Sequence, residues 1–407
     1  MVTTRRTRRA GFTVIEMLVA TMIMMAVTGA IFALMNPAQG TYQTQPEVSD
    51  MQQRLRIGVD TLTKDIIMAG AGSYMGSNAG ALYNYFAPIM PYRSGELSPD
   101  PATGTFYRSD TITLMYVPPT PAQATVVKNT GQGNSQELVV EPQNNCGVDK
   151  HDQLCGFHEN QHVLVYDVDG SWDTTILTNI QPEALHLQHS DKLSSAYDSG
   201  LAQLTEVATH TYYLRSDTAS NTYQLMHYDG GTNPDQAVVD NVVKLQFTYY
   251  GDPQPPLLIP GKSLCDVSVK GPFTSYGPKP PCLAKAGTGG YLAGENCAFK
   301  VVNGVQVPRM DTLTGTSGQV ELTQSMLTDG PWCPGASSAD YPNRFDADLL
   351  RVRRVKVTLR VQAALATLRG PAGVLFTHGG SSSGGQRFVP DQEVSFSVTP
   401  RNMTLGR

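Results

Sequence analysis

The chain has 407 residues and a mass of 44.0 kDa, which is long enough for one large domain or for two to three smaller ones. Hydrophobic residues make up 40% and charged residues only 16%, so the composition supports a substantial core and excludes wholesale disorder. A net charge of −5 and a pI of about 5.9 argue against a general nucleic-acid-binding protein, which would usually be basic.

The first 35 residues predict a basic cytoplasmic segment followed by a membrane span. Residues 1–11 carry four arginines and no acid, and the largely apolar residues 12–35 carry Glu16 as their single charged residue. As a helix the apolar run is about 36 Å long, enough to cross a bilayer, and the positive-inside rule places the arginines in the cytoplasm. The run is too long for a secretory signal peptide. A plain signal anchor has the right length but does not explain the charged Glu16. The alternative is that the Glu16 side chain extends back to the lipid headgroups at the cytoplasmic surface.

Residues 9–18 resemble the type III prepilin signal of type IV pilins and type II secretion pseudopilins. The match covers the basic leader, Gly11, Phe12, the acid five positions beyond Gly11 and the apolar run. The resemblance implies cleavage between Gly11 and Phe12 by a prepilin peptidase, N-methylation of Phe12 and retention of the helix. It also implies that Glu16 pairs with the N-terminal ammonium of a neighbouring subunit. Such a charge pair in low dielectric would set the register of a filament.

Residues 36–72 predict the amphipathic half of this helix. Asn36-Pro37 and Pro46 predict a kink or break, because proline removes a backbone donor. Apolar residues then recur at helical spacing until Ala69–Gly72, which predicts the helix end. They are Val48, Met51, Leu55, Val59, Leu62 and Ile66.

Residues 73–407 predict a β-rich head. Short alternating runs between turn residues predict strands at 111–117, 137–141, 162–168, 173–180, 209–215, 222–228, 242–250, 350–361 and 393–399. Within residues 350–361 the apolar side chains change from even-numbered to odd-numbered positions, which predicts a bulge near Arg353-Arg354. Residues 251–349 are rich in Pro and Gly and predict a long insertion. Strands and helices do not alternate along the sequence, which argues against a doubly wound α/β enzyme.

Three further segments are similar to PilW-type minor pilins and to the related J-type minor pseudopilins. They are Asp65 with Ala69-Gly70, Asp240–Tyr249 and Val394–Asn402. In the pilin family the second half of the N-terminal helix packs on a sheet of the head. The resemblance therefore implies an α+β, pilin-like fold, in which a long N-terminal helix packs on an antiparallel head with large loop-rich insertions.

The cysteine count is even, and no cysteine lies in the apolar helix; the six are Cys146, Cys155, Cys265, Cys282, Cys297 and Cys333. Beyond the membrane the compartment is oxidising, so disulfides are the expected state. The simplest pairing joins Cys146 to Cys155 and pairs the other four within the insertion, although the spacing leaves the connectivity open.

Two patterns suggest other chemistry. Residues 158–162 match the zinc motif H-E-x-x-H, but they run into a predicted strand, where two histidines four positions apart cannot chelate one ion. We therefore predict no metal and no cofactor. A basic run could contact DNA phosphate, although on an acidic chain it is more often a solvated strand face or a protein interface. It consists of Arg351, Arg353, Arg354, Lys356 and Arg360.

The leading hypothesis is a non-enzymatic PilW-type minor pilin that helps to initiate or cap a type IV pilus. It predicts a cytoplasmic leader (1–11), a transmembrane and filament-core helix (12–35), an amphipathic half (36–72) and a periplasmic head (73–407). The predicted partners are the prepilin peptidase, other minor pilins, the major pilin and the inner membrane, with no nucleic acid; the pilus then reaches the cell surface. Alternatives are a minor pseudopilin of a type II secretion system, an adhesin or DNA-uptake subunit, and a membrane-anchored zinc hydrolase.

Overall fold

The computed structural model describes residues 11–72, 81–91, 110–131, 137–143, 146, 153–167, 170–190, 193–217, 222–230, 234–264, 272–281, 291–314, 318–335, 343–365, 368–369, 382–383, 386–387 and 389–403. Of these, only the backbone is described for residues 34–43, 216–217, 222, 382–383 and 386–387. The predicted leader, residues 1–10, lies outside this part of the chain. The fold divides into two compact units, one formed by Met1–Gln53 with Gln362–Gln392 and the other by Arg54–Val361 with Glu393–Arg407.

The N-terminal helix α1 extends from Val14 to Met68. Its backbone remains helical through Pro37 and Pro46, so the predicted break at Pro46 is wrong. Each proline removes a single N–H donor, and the hydrogen bonds on either side sustain the helix. The predicted end is confirmed, because Gly70 follows with a φ of +81°, the left-handed conformation that glycine adopts at low cost.

Within the described residues the chain forms 21 strands. In chain order they are β1 (Ile89–Pro91), β2 (Thr111–Tyr116), β3 (Gln123–Thr125), β4 (Glu137–Val139), β5 (His162–Tyr166), β6 (Trp172–Gln181), β7 (His186–His189), β8 (Gln203–Glu206), β9 (Ala208–Asp217), β10 (Thr222–Tyr228), β11 (Gln236–Asp240), β12 (Val242–Gly251), β13 (Phe299–Val302), β14 (Val305–Pro308), β15 (Val320–Leu322), β16 (Trp332–Cys333), β17 (Phe345–Asp346), β18 (Val352–Val361), β19 (Ser382–Ser383), β20 (Gln386–Arg387) and β21 (Gln392–Val398). Short 3-10 helices occupy Leu82–Asn84, Pro182–Ala184, Ser325–Leu327, Ala347–Arg351 and Arg401–Met403.

Three sheets dominate this arrangement. Their strand orders are β1-β2-β9-β10-β11, β15-β12-β18-β21 and β3-β8-β5-β6-β7-β4. The registers given for the described strands are all antiparallel. The predicted coarse fold class is therefore confirmed: an α+β chain with a long N-terminal helix and a largely antiparallel β body.

The C-terminal part of α1 packs against two of these sheets. Leu62 and Ile66 are fully buried. A Cβ added at Gly58 would lie 2.7 Å from Leu359 of β18, 3.6 Å from Val239 of β11 and 3.8 Å from Leu225 of β10. The absence of a side chain at this position therefore lets the helix approach both sheets closely.

The predicted pattern of β12 and β18 is largely confirmed. Leu245, Phe247 and Tyr249 are buried, as expected, but Val243 is not. The register with β18 shifts beside Val243, which turns that side chain out of the buried row. A second shift leaves Arg353 as the extra residue on β18, which confirms the predicted bulge.

The 251–349 segment contributes to the body of the fold. Its strand β15 extends the four-stranded sheet beside β12. A disulfide joins Cys297, next to β13, to Cys333 of β16, and a second joins Cys146 to Cys155. The Cys146–Cys155 bridge agrees with the predicted local loop. The other two cysteines, Cys265 and Cys282, lie outside the described residues.

Candidate functional site

The predicted processing junction lies in an exposed, non-helical segment. Gly11, Phe12 and Thr13 precede the first residue of α1, and Phe12 is 90% exposed. A peptide bond that is neither helical nor buried can enter a protease active site without unfolding of its surroundings. The geometry is therefore compatible with hydrolysis between Gly11 and Phe12.

Thr13 and Glu16 form a reciprocal cap on the first turn of α1. The Glu16 Oε2 accepts from the Thr13 backbone N–H (2.8 Å) and hydroxyl (2.9 Å), and the Glu16 N–H donates to the Thr13 hydroxyl at 3.3 Å. This is the capping-box arrangement, which satisfies free backbone donors at a helix start. Sequence reasoning missed it, although the spacing Thr-x-x-Glu is its signature.

The helix that follows is apolar and covered by nothing in the described chain. Val14–Ala33 is long and apolar enough to cross a membrane, and none of it is buried. This span lies within the predicted 12–35 segment and is the one candidate membrane-spanning helix among the described residues.

The H-E-x-x-H motif is not helical in the structure. His158 and Glu159 are exposed in a turn, Asn160 has a φ of +64°, and His162 opens β5. A zinc site of this type needs both histidines on one helical face, which this backbone does not provide. Cys146 and Cys155 cannot supply thiolates, because they form a disulfide.

The basic run is divided between buried and partly exposed positions, with Arg354, Lys356 and Arg360 on the partly exposed face of β18. Arg351 and Arg353 are 0% and 2% exposed, so the interpretation of the run as a solvated strand face is wrong for these two. Arg353 donates to the carbonyls of Leu350 and Val352 at 2.7 and 2.8 Å. The bulge at this position turns the side chain inward, out of the reach of a polyanion.

A second cluster of functional side chains lies where the C-terminal part of α1 meets the five-stranded sheet. Asp65 comes from α1, His210 from β9 and His227 from β10. Their ligand atoms all lie within 4.8 Å of one another. The β9–β10 register places His227 directly opposite Tyr212. Tyr212 is two residues from His210 in β9, so all three side chains lie on the same face of the sheet.

Hydrogen bonds fix the members of this cluster. His210 Nδ1 lies 2.7 Å from His227 Nε2 and 3.6 Å from Asp65 Oδ2. The other ring nitrogen of His210 is 3.1 Å from the Tyr116 hydroxyl, and the Tyr212 hydroxyl donates to Asp65 Oδ2 at 2.5 Å. The ring centroids of the two imidazoles are 5.0 Å apart, so the rings lie edge to edge along this hydrogen bond.

Burial controls the protonation of the cluster. It lowers the pKa of His210 below the ordinary histidine value, and the negative charge of Asp65 opposes this effect. It lowers the pKa of His227 as well, against the charges of Asp65, Asp229 and Asp235. Burial, reinforced by Asp65, raises the pKa of Tyr212 far above the ordinary tyrosine value. Both imidazoles therefore favour the neutral form, in which one ring nitrogen carries a free lone pair.

Comparison with known proteins adds no identification: no family model matches the chain, and no curated protein matches it either.

Proposed function

We propose that this chain is a minor pilin-like subunit, anchored by α1 in the inner membrane and then built into a type IV pilus. One observation carries the proposal. A helix long enough to span a membrane is uncovered, carries a single acid in its first turn, and follows an exposed Gly11–Phe12 bond. An uncovered apolar helix needs lipid or other helices around it. The membrane before assembly and neighbouring subunits after it meet this need in turn.

The cap on Glu16 leaves part of its carboxylate available to a partner. Both bonds from Thr13 fall on Oε2, and no described residue bonds Oε1. A carboxylate can accept about four hydrogen bonds, so Glu16 can bind the Thr13 cap and an ammonium at the same time. Cleavage before Phe12 would create that ammonium, and we propose that it pairs with Glu16 of a neighbouring subunit.

The remaining features support a structural role outside the cytoplasm. The two disulfides are typical of an oxidising compartment. We accordingly propose a periplasmic head, no catalytic activity, and the prepilin peptidase and other pilins as partners.

The test is mass spectrometry of the mature N-terminus in cells that contain a prepilin peptidase. We expect the protein to begin at an N-methylated Phe12. The variant Gly11→Val should keep its leader. The matched variant Gly29→Val, in the middle of the exposed apolar helix, should be cleaved normally.

An intact Met1 on the mature wild-type protein would refute the proposal. Finding the processed chain only in membranes, never in sheared surface fibres, would favour a secretion pseudopilin over a pilus subunit.

A further inference from the structure

We propose that Asp65, His210 and His227 bind a zinc ion that fastens α1 to the five-stranded sheet. This inference concerns the head alone and does not depend on the assembly role of the N-terminal helix. It also departs from the prediction of no metal, which was based on the H-E-x-x-H motif. The sequence offers that motif as a zinc site, but the fold brings together a different set of ligands.

The distances suit a four-coordinate ion. Ligand atoms around a tetrahedral zinc lie about 3.3 Å apart when the metal–ligand bonds are about 2.0–2.1 Å. Asp65 Oδ2 and His210 Nδ1 are 3.6 Å apart, already close to that value. His210 Nδ1 and His227 Nε2, now 2.7 Å apart, would have to separate by about 0.6 Å. For one ion to bind both nitrogens, which now face each other along a hydrogen bond, each ring has to turn by about 35°.

The surroundings of the ligands resemble those of metal sites. Histidines that bind metals usually use the second ring nitrogen in a hydrogen bond that fixes the ring. The Tyr116 hydroxyl holds His210 Nε2 in this way, at 3.1 Å. The Tyr212 hydroxyl fixes the Asp65 carboxylate. The three ligands are therefore positioned by partners that coordination would leave in place.

The charge of the cluster favours a cation. The side chain of Asp65 is only 7% exposed, and among the described residues its partners are the Tyr212 hydroxyl and the His210 ring. A buried carboxylate without a cationic partner is costly. Asp229 and Asp235 add negative potential around His227, and the positive charge of Lys64 opposes it beside His210.

The donor set points to zinc rather than to calcium or magnesium. Two imidazole nitrogens and one carboxylate oxygen are ligands that Zn²⁺ prefers, whereas Ca²⁺ and Mg²⁺ prefer oxygen alone. Three protein ligands leave one tetrahedral position for water. The bound ion would link α1 to β9 and β10, three elements that approach one another only in the folded head.

Zinc binding to the full chain is the test. The protein is purified in detergent with a tag free of histidine, treated with EDTA, and titrated with ZnCl2 by calorimetry. Metal content is measured by elemental analysis. Wild type should bind one zinc per chain, and Co²⁺ should give the visible absorption of a tetrahedral site.

Matched variants separate this site from other histidines. His227→Gln should abolish stoichiometric binding, and Tyr116→Phe should weaken it by about 10–100-fold. The double variant His158→Gln/His162→Gln should bind like wild type. Far-UV circular dichroism checks that each variant is folded. If His227→Gln does not fold, Tyr116→Phe provides the test, because it removes only one hydroxyl from a half-buried side chain.

Two results would overturn the proposal. One is wild-type protein that binds no zinc, in which case the cluster is a hydrogen-bonded pair of neutral histidines. The other is binding that survives in His227→Gln or disappears in His158→Gln/His162→Gln.

Discussion

Arg351 donates from its guanidinium Nε to the carboxylate of Asp348 inside the head, where neither side chain is exposed by more than 11%. The remaining guanidinium donors reach the carbonyls of Asp252 (3.2 Å), Pro253 (3.1 Å) and Asp311. One side chain therefore joins the 3-10 helix before β18 to the segment after β12 and to a third loop. This buried residue holds together a region that contains little regular structure.

Replacement of Arg351 should destabilise the head strongly. Arg351→Ala leaves the Asp348 carboxylate and three carbonyls without their donor, so we expect a loss of about 3–5 kcal/mol in the free energy of unfolding. The matched control is Arg56→Ala, which breaks the Arg56–Asp60 pair on α1, where the side chains are 84% and 72% exposed. That change should cost less than about 0.5 kcal/mol. Denaturant unfolding in detergent measures both, and equal losses would contradict a central role for Arg351.

The pair Asp346 and Asp348 should make the head more stable in mild acid. Burial and the neighbouring charge of Asp348 raise the pKa of Asp346 to about 8. Burial, opposed by Arg351, raises the pKa of Asp348 to about 6. The folded state therefore binds protons that the unfolded state releases near pH 3.8. This stabilisation is complete below pH 3.8 and is lost as the pH rises through 6 and then 8, with a slope of up to about 1.4 kcal/mol per pH unit for each group.

The variant Asp346→Asn isolates this effect. Asp346 accepts from the backbone N–H of Asp348 (2.9 Å) and of Gly330 (2.7 Å), and asparagine can accept only one of these bonds. We therefore expect the variant to have a lower free energy of unfolding than wild type at low pH. Because the two proteins already differ there, the informative quantity is the slope of the unfolding free energy against pH. Unfolding free energies between pH 5 and 8 should fall more steeply for wild type. Parallel curves would rule out Asp346 as the titrating group.

Local patterns predicted much of the fold because they record which face of an element is buried. The alternation of Leu245, Phe247 and Tyr249 identified β12, and the parity change before Val355 located the bulge. Both are properties of a few neighbouring residues. The break at Pro46 was predicted wrongly, because a local rule gives the cost of one lost hydrogen bond and does not weigh the rest of a 55-residue helix.

The Asp–His cluster lay beyond such reasoning. The alternation within β9 places His210 and Tyr212 on one face, but nothing in the sequence joins them to Asp65 of α1. Asp65 is separated from Tyr212 by 147 positions. Only the packing of α1 on the sheet brings them together. In the same way, the basic run suggested an exposed surface because periodicity does not reveal that a bulge turns Arg353 inward.

The two described disulfides should differ in their contribution to stability. In the chain-entropy relation a bridge stabilises more when it closes a longer loop. The separation is 36 residues for Cys297–Cys333 and 9 for Cys146–Cys155, which corresponds to about 3.8 and about 2.6 kcal/mol. Denaturant unfolding of the two double Cys→Ser variants should show the larger loss for Cys297 and Cys333. The reverse order would show that loop closure does not dominate.

Thiol labelling of the unfolded, unreduced chain should find no free thiol.

The last prediction separates the two roles proposed for Glu16. Glu16→Gln removes the charge but keeps a side chain that can cap Thr13, because glutamine also serves in a capping box. Thr13→Val removes the hydroxyl of the cap but keeps the charge, at a cost of about 1 kcal/mol to the start of the helix. If an ammonium of a neighbouring subunit binds Glu16, Glu16→Gln should be cleaved normally yet be depleted from sheared fibres, like Glu16→Ala. Thr13→Val should be incorporated nearly as well as wild type. Immunoblots of fibre and membrane fractions provide the measurement, and normal incorporation of Glu16→Gln with loss of Thr13→Val would show that the cap, not the charge, is what assembly requires.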